Sequence, residues 1–116
     1  MQVRDLLHPT DLCDLVAQEI GAIAQVSGET FNIGGGRAGS VSLREFTGLC
    51  RAATGNSVTI SEEPETRAVD IPWYITDHAK VTGRLGWRPS RSPENIVDDI
   101  VIWVRANADR LSGLFA

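Results

Sequence analysis

The sequence has few basic residues and no long apolar run, which bears on binding to nucleic acids and membranes. Lysine and arginine total 11 against 15 aspartates and glutamates, which gives a formal net charge of −4. Nucleic acids and anionic lipids attract clustered basic faces, so we expect neither as a partner. The longest strongly apolar run, residues 100–104, is far too short to cross a bilayer, and no basic stretch leads into an apolar segment at the amino terminus. These absences predict a soluble, cytoplasmic protein with no membrane partner.

Cysteine is also scarce, with only Cys13 and Cys50 in the chain. Their wide separation fits no metal motif. Both lie within apolar helical patterns, where a free thiol behaves as a small hydrophobic side chain. We therefore predict two buried, reduced thiols and no metal site.

The composition that remains is that of one globular domain. Hydrophobic residues make up 42% of the 116 residues and charged residues 22%. Such a chain can build one core but is too short for two domains, so we expect a single domain over residues 1–116. Apolar side chains at spacings of three and four, bounded by capping residues, predict about four helices. They run from Pro9 to Val26, from Ser42 to Gly55, from Thr76 to Leu85, and from Ser92 onward.

Short β-prone runs lie between these helices. Residues 3–7, 30–33 and 58–60 each read as a strand. The order of strand, helix and strand over residues 30–60 favours a right-handed crossover between parallel neighbours. The sequence thus predicts an α/β fold with a small, mainly parallel sheet. Residues 61–72 show no periodicity and predict a long loop, a place where function is often found.

Gly34, Gly36 and Gly39 satisfy the pattern G-x-G-x-x-G of dinucleotide-binding loops. In a true fingerprint the helix begins inside the glycine pattern, whereas here its capping residue, Ser42, comes after the last glycine. The acidic residues that follow also come too late. We interpret the glycines as a flexible strand-to-helix loop. A free-standing dinucleotide binder is the less favoured alternative, and saturable quenching of tryptophan fluorescence by NAD would reveal it.

Two arginines are candidate phosphate ligands, because a guanidinium group is always charged and presents paired donors. Arg4 stands beside Asp5, and Arg67 comes three residues before Asp70 in the long loop. From the residues alone, a local ion pair at each of these positions is the favoured explanation.

Five segments in order, VRDLLH, FNIGGG, SLREF, TRAVD and GWRP, resemble the carboxyl-terminal half of NAD-dependent nucleotide-sugar epimerases and dehydratases. These enzymes are extended short-chain dehydrogenases, and the wording R-D-L-L-H is most similar to the CDP-tyvelose (CDP-paratose) epimerase type. The resemblance implies the substrate-binding half of that fold. It also implies that Arg4 and Arg67 contact the diphosphate of a nucleotide sugar, while Asp70 bonds a hydroxyl group, commonly on the ribose.

The same resemblance implies that the catalytic parts lie elsewhere. The family abstracts a proton with a tyrosine followed four residues later by a lysine, but Tyr74 is followed by His78, and Lys80 is out of register. NAD is held by an amino-terminal domain that is not in this sequence, so we expect the chain to bind no cofactor and to be inactive by itself. The alternative is a stand-alone binding or interaction module derived from the same fold.

Three further expectations concern the remaining motifs. We assign Asp77 to a helix cap, Lys80 to a solvated surface position and the segment 85–89 to a packed turn. Residues 72–75 could pack in the core or line the pocket, and we favour the core. His8 begins the first helix and is a candidate cap. The strand predicted at 30–33 would have lost a neighbour, which favours a homo-oligomer.

Overall fold

A computed structural model describes residues 2–61 and 70–114 of the chain. Within these residues, six α-helices and a terminal 3-10 turn surround a small sheet, which confirms the α/β class. The helices are α1 (Pro9–Gly21), α2 (Ile23–Val26), α3 (Leu43–Thr54), α4 (Ala79–Leu85), α5 (Pro93–Ala106) and α6 (Ala108–Leu111).

The sheet in the described residues has three strands in the order β2-β1-β3. They are β1 (Val3–Asp5), β2 (Ser40–Ser42) and β3 (Trp73–Tyr74). The central strand β1 pairs antiparallel with β2 and parallel with β3, so the sheet is mixed.

Neither residues 30–33 nor residues 58–60 form a strand, so both of these predictions are wrong. The first segment is held by side chains instead: Lys80 donates to the carbonyl of Thr30 and lies 5.0 Å from the ring centre of Phe31. In the second segment Arg51 donates to the carbonyl of Val58, whose side chain is exposed. Among the residues described, neither segment has a ladder partner, so local β propensity did not prevail.

Most helix ends lie where the capping residues predict them. Ser42 and Glu45 form the expected capping box at α3, and the glycines that end α3 and α4 are left-handed. The first predicted helix is the exception, because α1 stops at Gly21. The backbone at Ala22 turns away from helical angles before the short α2 resumes, so the predicted end at Val26 belongs to a second helix.

The core joins α1, α4 and the turn after α4. Leu15, Val81 and Trp87 form its buried cluster, with partly buried Leu7, Phe31 and Leu85 packed against it. The indole nitrogen of Trp87 donates to the carbonyl of Asp11 at 3.0 Å. This contact fixes α1 against the segment that follows α4, and it confirms the packing role predicted for residues 85–89.

The two cysteines are free, but Cys13 is exposed and Cys50 is only half-buried, so their predicted burial is wrong. Cys13 lies two residues from both Asp11 and Leu15, which are buried. Two residues rotate a helix by roughly 200°, which turns Cys13 toward the opposite, exposed face. No helix in the described part of the chain has the length and apolar character needed to span a membrane.

Candidate functional site

The candidate site begins with the alternation of side chains along β1. Asp5 is directed toward the glycine loop, where its Oδ2 accepts hydrogen bonds from the amides of Gly36 at 2.9 Å and Thr76 at 3.2 Å. Successive residues of a strand point to opposite faces, so Arg4 lies on the other face of the sheet. Asp5 therefore anchors the strand that presents Arg4.

Arg4 and Asp70 are brought together on that face, although they are far apart in the sequence. The Nη2 of Arg4 is 3.7 Å from Oδ1 of Asp70, and Gln2 donates a hydrogen bond to Asp70 Oδ2. The side chains of the two ion-pair partners are 39% and 38% exposed. A long, exposed pair of this kind contributes about 0 to 1 kcal/mol, so it does not by itself determine the fold.

Backbone pairing is what aligns the two residues. The amide of Val3 donates to the carbonyl of Pro72 at 2.8 Å, which draws the chain from Asp70 onward alongside β1. The predicted partner Arg67 lies outside the described residues. Arg4 and Asp70 are thus adjacent, and the ligand-binding role of these two residues and of Arg67 stays a prediction.

The sheet adds two residues to this site: one that the sequence did not suggest, and one for which the pocket was only the less favoured placement. Val41 in β2 and Tyr74 in β3 are both the register partners of Arg4. Directly opposed residues in a sheet project from the same face, so these two side chains flank Arg4. The only sequence signal was that the aromatic segment bordered the Arg67 loop.

The placement of residues 72–75 in the core is wrong. Trp73 is 64% exposed and Tyr74 is 55% exposed, and Ile75 also lies at the surface. Their strand has only two residues and lies at the edge of the described sheet, where little structure is available to cover it. The alternative that the sequence allowed, a place beside a binding surface, fits their exposure.

The glycine-rich loop is tightly packed rather than flexible. A methyl group at Gly34 would overlap the side chains of Thr76 and Asp5, and one at Gly35 would overlap the carbonyl oxygen of Leu6. Gly36 has a φ of +61° and lies against the ring of His78. The flexible-loop interpretation is therefore wrong, because each glycine is needed for a close approach.

This packing also argues against a dinucleotide at the loop. The helix that follows, α3, begins only at Leu43, and the amide of Gly36 is already used by Asp5. In the dinucleotide fingerprint the pyrophosphate lies at the start of a helix, whereas α3 begins only after this loop has ended. The loop therefore lacks the helix start that this fingerprint requires.

His8 caps α1, as predicted. Its Nδ1 accepts a hydrogen bond from the amide of Thr10 at 3.1 Å, and its Nε2 lies 3.2 Å from Oδ2 of Asp99 on α5. Because Nδ1 is the acceptor, the proton of the neutral ring is on Nε2. Asp77 accepts a hydrogen bond from the amide of Ala79, the first residue of α4, but the N-cap position is His78 rather than the predicted Asp77. Among the described residues, no cluster of histidine, cysteine and carboxylate side chains could hold a metal ion.

Two solved structures share this fold. UDP-glucose 4-epimerase from Bifidobacterium longum, solved in complex with NAD+ and UDP, matches 93% of this chain with a TM-score of 0.80 and 24% identity. UDP-glucose 4-epimerase from Stenotrophomonas maltophila, solved with NAD and formylated UDP-arabinopyranose, matches 95% with a TM-score of 0.81 and 23% identity. At these identities the likeness shows the fold alone.

Relatives in sequence agree with this likeness. No protein-family model matches the chain. It is 34% identical over 106 residues to dTDP-glucose 4,6-dehydratase of Actinoplanes sp. and 29% identical over 102 residues to CDP-paratose 2-epimerase of Salmonella typhi. The matches cover 90% and 88% of this chain but only 32% and 30% of the relatives, so the chain spans about a third of their length. The relatives that match most of this chain are nucleotide-sugar epimerases and dehydratases, which confirms the resemblance seen in its motifs.

Proposed function

We propose that this chain is the nucleotide-sugar-binding portion of an NAD-dependent epimerase or dehydratase and is inactive by itself. In this proposal Arg4 and Arg67 bind the diphosphate and Asp70 accepts a hydrogen bond from a hydroxyl group, commonly on the ribose. The observation that carries the proposal is the adjacency of Arg4 and Asp70 on one exposed face of the sheet. It is supported by relatives whose names specify nucleotide sugars as substrates.

The geometry of Arg4 suits a ligand that must displace a weak internal contact. One guanidinium nitrogen, Nη1, donates to the carbonyl of Val3 at 2.8 Å and so orients the group. Within residues 2–61 and 70–114, the other, Nη2, has only the long contact with Asp70, which a diphosphate would replace with shorter, charge-assisted hydrogen bonds. Asp70 would then be free to accept a bond from a hydroxyl group, while Val41 and Tyr74 provide apolar and aromatic surface beside it.

The proposal assigns oxidation and proton transfer to parts of the enzyme outside this chain. The single tyrosine, Tyr74, has His78 four residues later instead of the lysine that the family uses. The glycine loop does not fit NAD, so the cofactor of the complete enzyme would be held elsewhere. Two solved neighbours were obtained with NAD or NAD+, which supports that cofactor for the longer protein.

Two further parts of the proposal concern the setting of the protein. A reducing, cytoplasmic compartment is supported by the free thiols of Cys13 and Cys50.

A homo-oligomer also remains proposed, although the strand that first suggested it is not formed. Its support is now the exposed edge strand β3, with Trp73 and Tyr74. Light scattering that finds only monomer over a wide concentration range would contradict it.

Calorimetry with UDP and CDP on the 116-residue chain tests the binding role. We expect saturable binding, with Arg4→Ala and Arg67→Ala each weakening it by about 1.5 to 3 kcal/mol through the loss of charged hydrogen bonds. Arg44→Ala, which removes an exposed arginine from α3, is the matched control and should leave the affinity unchanged. Comparison of the two nucleotides also reports the base preference.

Several results would count against the proposal. Equal weakening by Arg44→Ala would indicate a general charge effect, and the absence of saturable binding by any nucleoside diphosphate would favour the stand-alone interaction module. In a longer protein that includes the NAD-binding part, Arg67→Ala should weaken nucleotide-sugar binding with little change in NAD affinity. Equal losses for both ligands would refute the assignment of Arg67.

A further inference from the structure

An open cleft of about 600 Å³, distinct from the Arg4 face, lies between the glycine loop and α4. Arg37 lines it from the loop, residues 75–79 from the link between β3 and α4, Thr82 from α4, and Arg88 from the turn beyond. Neither Arg4 nor Asp70 is among the residues that line it. Its volume falls within the range of about 300 to 1,000 Å³ that is typical of small-molecule sites.

His78 forms one wall of the cleft, and contacts with its neighbours fix the orientation of its imidazole ring. The hydroxyl of Thr82 donates its only proton to the carbonyl of Trp87 at 2.9 Å, so its oxygen accepts the hydrogen bond from Nδ1 of His78 at 3.0 Å. The imidazole also packs edge-on against Trp87, with ring centres 6.0 Å apart, and lies against Gly36. A wall fixed in this way lowers the cost of ordering the site when a ligand binds.

The charges around the cleft favour an anion. Among the described residues, Arg37 and Arg88 form no ion pair, and both are exposed. The one carboxylate among the described residues of the lining, Asp77, already accepts a hydrogen bond from the amide of Ala79 at 2.9 Å. The described part of the lining therefore carries two positive charges and one negative charge, on a chain whose formal net charge is −4.

We propose that this cleft, with Arg37 and Arg88 at its rim, is a second ligand site that binds a small phosphomonoester. Two guanidinium groups match the charge of a phosphate dianion and can bond its oxygens in pairs. The volume exceeds what a bare phosphate would fill and leaves room for a sugar-sized group beside His78 and Thr82. The site is separate from the Arg4 face, so its existence does not depend on the function proposed above.

Titration of the chain with glucose 1-phosphate, followed by calorimetry and by backbone amide NMR, tests this site. We expect saturable binding and chemical-shift changes centred on residues 76–79 and 82–83. Arg37→Ala and Arg88→Ala should each weaken binding about tenfold or more, since each removes a charged hydrogen bond. Arg44→Ala and Arg4→Ala should bind as the unchanged chain does. Amide spectra of each variant establish that it remains folded.

Glucose and inorganic phosphate serve as the two partial ligands. Glucose should not bind measurably, and inorganic phosphate should bind more weakly than the phosphomonoester. Inorganic phosphate that bound as tightly would overturn the proposal in favour of a simple anion site. It would equally be overturned if no ligand saturated the chain, or if Arg4→Ala weakened binding while Arg37→Ala and Arg88→Ala did not. That last outcome would place the phosphate on the Arg4 face and would support the proposed function instead.

Discussion

Replacing Gly35 with alanine is expected to destabilise the chain by about 3 kcal/mol or more, enough to leave a marginally stable domain largely unfolded. The added methyl group would overlap the carbonyl oxygen of Leu6, which is backbone and cannot rotate away. The loop cannot shift as a whole either, because the amide of Leu6 donates to Gly39 at 2.9 Å and the amide of Gly39 donates to Gly35 at 3.2 Å. Urea unfolding followed by tryptophan fluorescence would measure the loss.

Gly48→Ala is the matched control for that substitution. Gly48 lies within α3, and a methyl group there would meet no atom within 4 Å. Alanine in a helix is more stable than glycine by about 0.5 to 1 kcal/mol, so this variant should unfold at a higher urea concentration. If Gly35→Ala unfolded at the same urea concentration as the unchanged chain, the tight packing of the glycine loop would be refuted.

The second large effect is expected at Asp11, whose replacement by alanine should destabilise the chain by about 2 to 4 kcal/mol. Asp11 is 2% exposed, and its carboxylate joins α1 to the segment before α5. It accepts four hydrogen bonds, from the amide and hydroxyl of Ser90 at 3.2 and 2.7 Å and from the amide and guanidinium of Arg91 at 3.2 and 2.7 Å. Without the carboxylate, these donors lose their partner.

Asp14→Ala removes the same charge from the same helix and provides the comparison. Asp14 is exposed and lies 3.8 Å from Arg91, so its loss should change the stability by less than about 0.5 kcal/mol. Asp11→Asn keeps the shape of the side chain and should fall between the two alanine variants. Equal stability of Asp11→Ala and Asp14→Ala would show that the buried network does not stabilise the fold.

The contribution of Asp11 should also depend on pH. Burial raises the pKa of its carboxyl group, but the hydrogen bonds from Ser90 and Arg91 outweigh this and leave the pKa below its usual value of 3.8. A lowered pKa in the folded state stabilises the protein above the unfolded pKa, and this stabilisation is lost as the pH falls through the folded value. The stability difference between the unchanged chain and Asp11→Asn should therefore shrink below about pH 4. A constant difference across that range would contradict the assignment.

Local chemistry in the sequence was sufficient to predict most of the helix ends, although not the end of α1 at Gly21. The capping box of Ser42 and Glu45, the proline after Ser92 and the left-handed Gly55 and Gly86 each depend on contacts within a few residues. The strands were harder to predict because a strand of two or three residues is defined by its partner, not by its own propensity. Thus Ser40–Ser42 forms a strand, whereas the more β-prone residues 30–33 do not.

Asp11 shows the same limit for a buried polar residue. Nothing near it in the sequence distinguishes it from Asp14, since its four donors come from residues 90 and 91. The family resemblance was readable as a pattern of motifs, and it predicted ligand-binding roles for Arg4, Arg67 and Asp70 without any contact between them being known. Only the pairing of β1 with β3 revealed that Arg4 lies beside Asp70 and shares its face with Tyr74.

By itself, then, the sequence determined the α/β class, most of the helix caps and the resemblance to nucleotide-sugar epimerases and dehydratases. The tertiary structure decided which segments pair as strands, which aromatic side chains stay exposed, and that the glycine loop is packed against β1 and the segment before α4. The physical reason is the sequence separation of the interacting residues. Caps and turns are satisfied by neighbouring residues, whereas strand pairing, burial and the approach of two charges depend on segments that meet only in the folded chain.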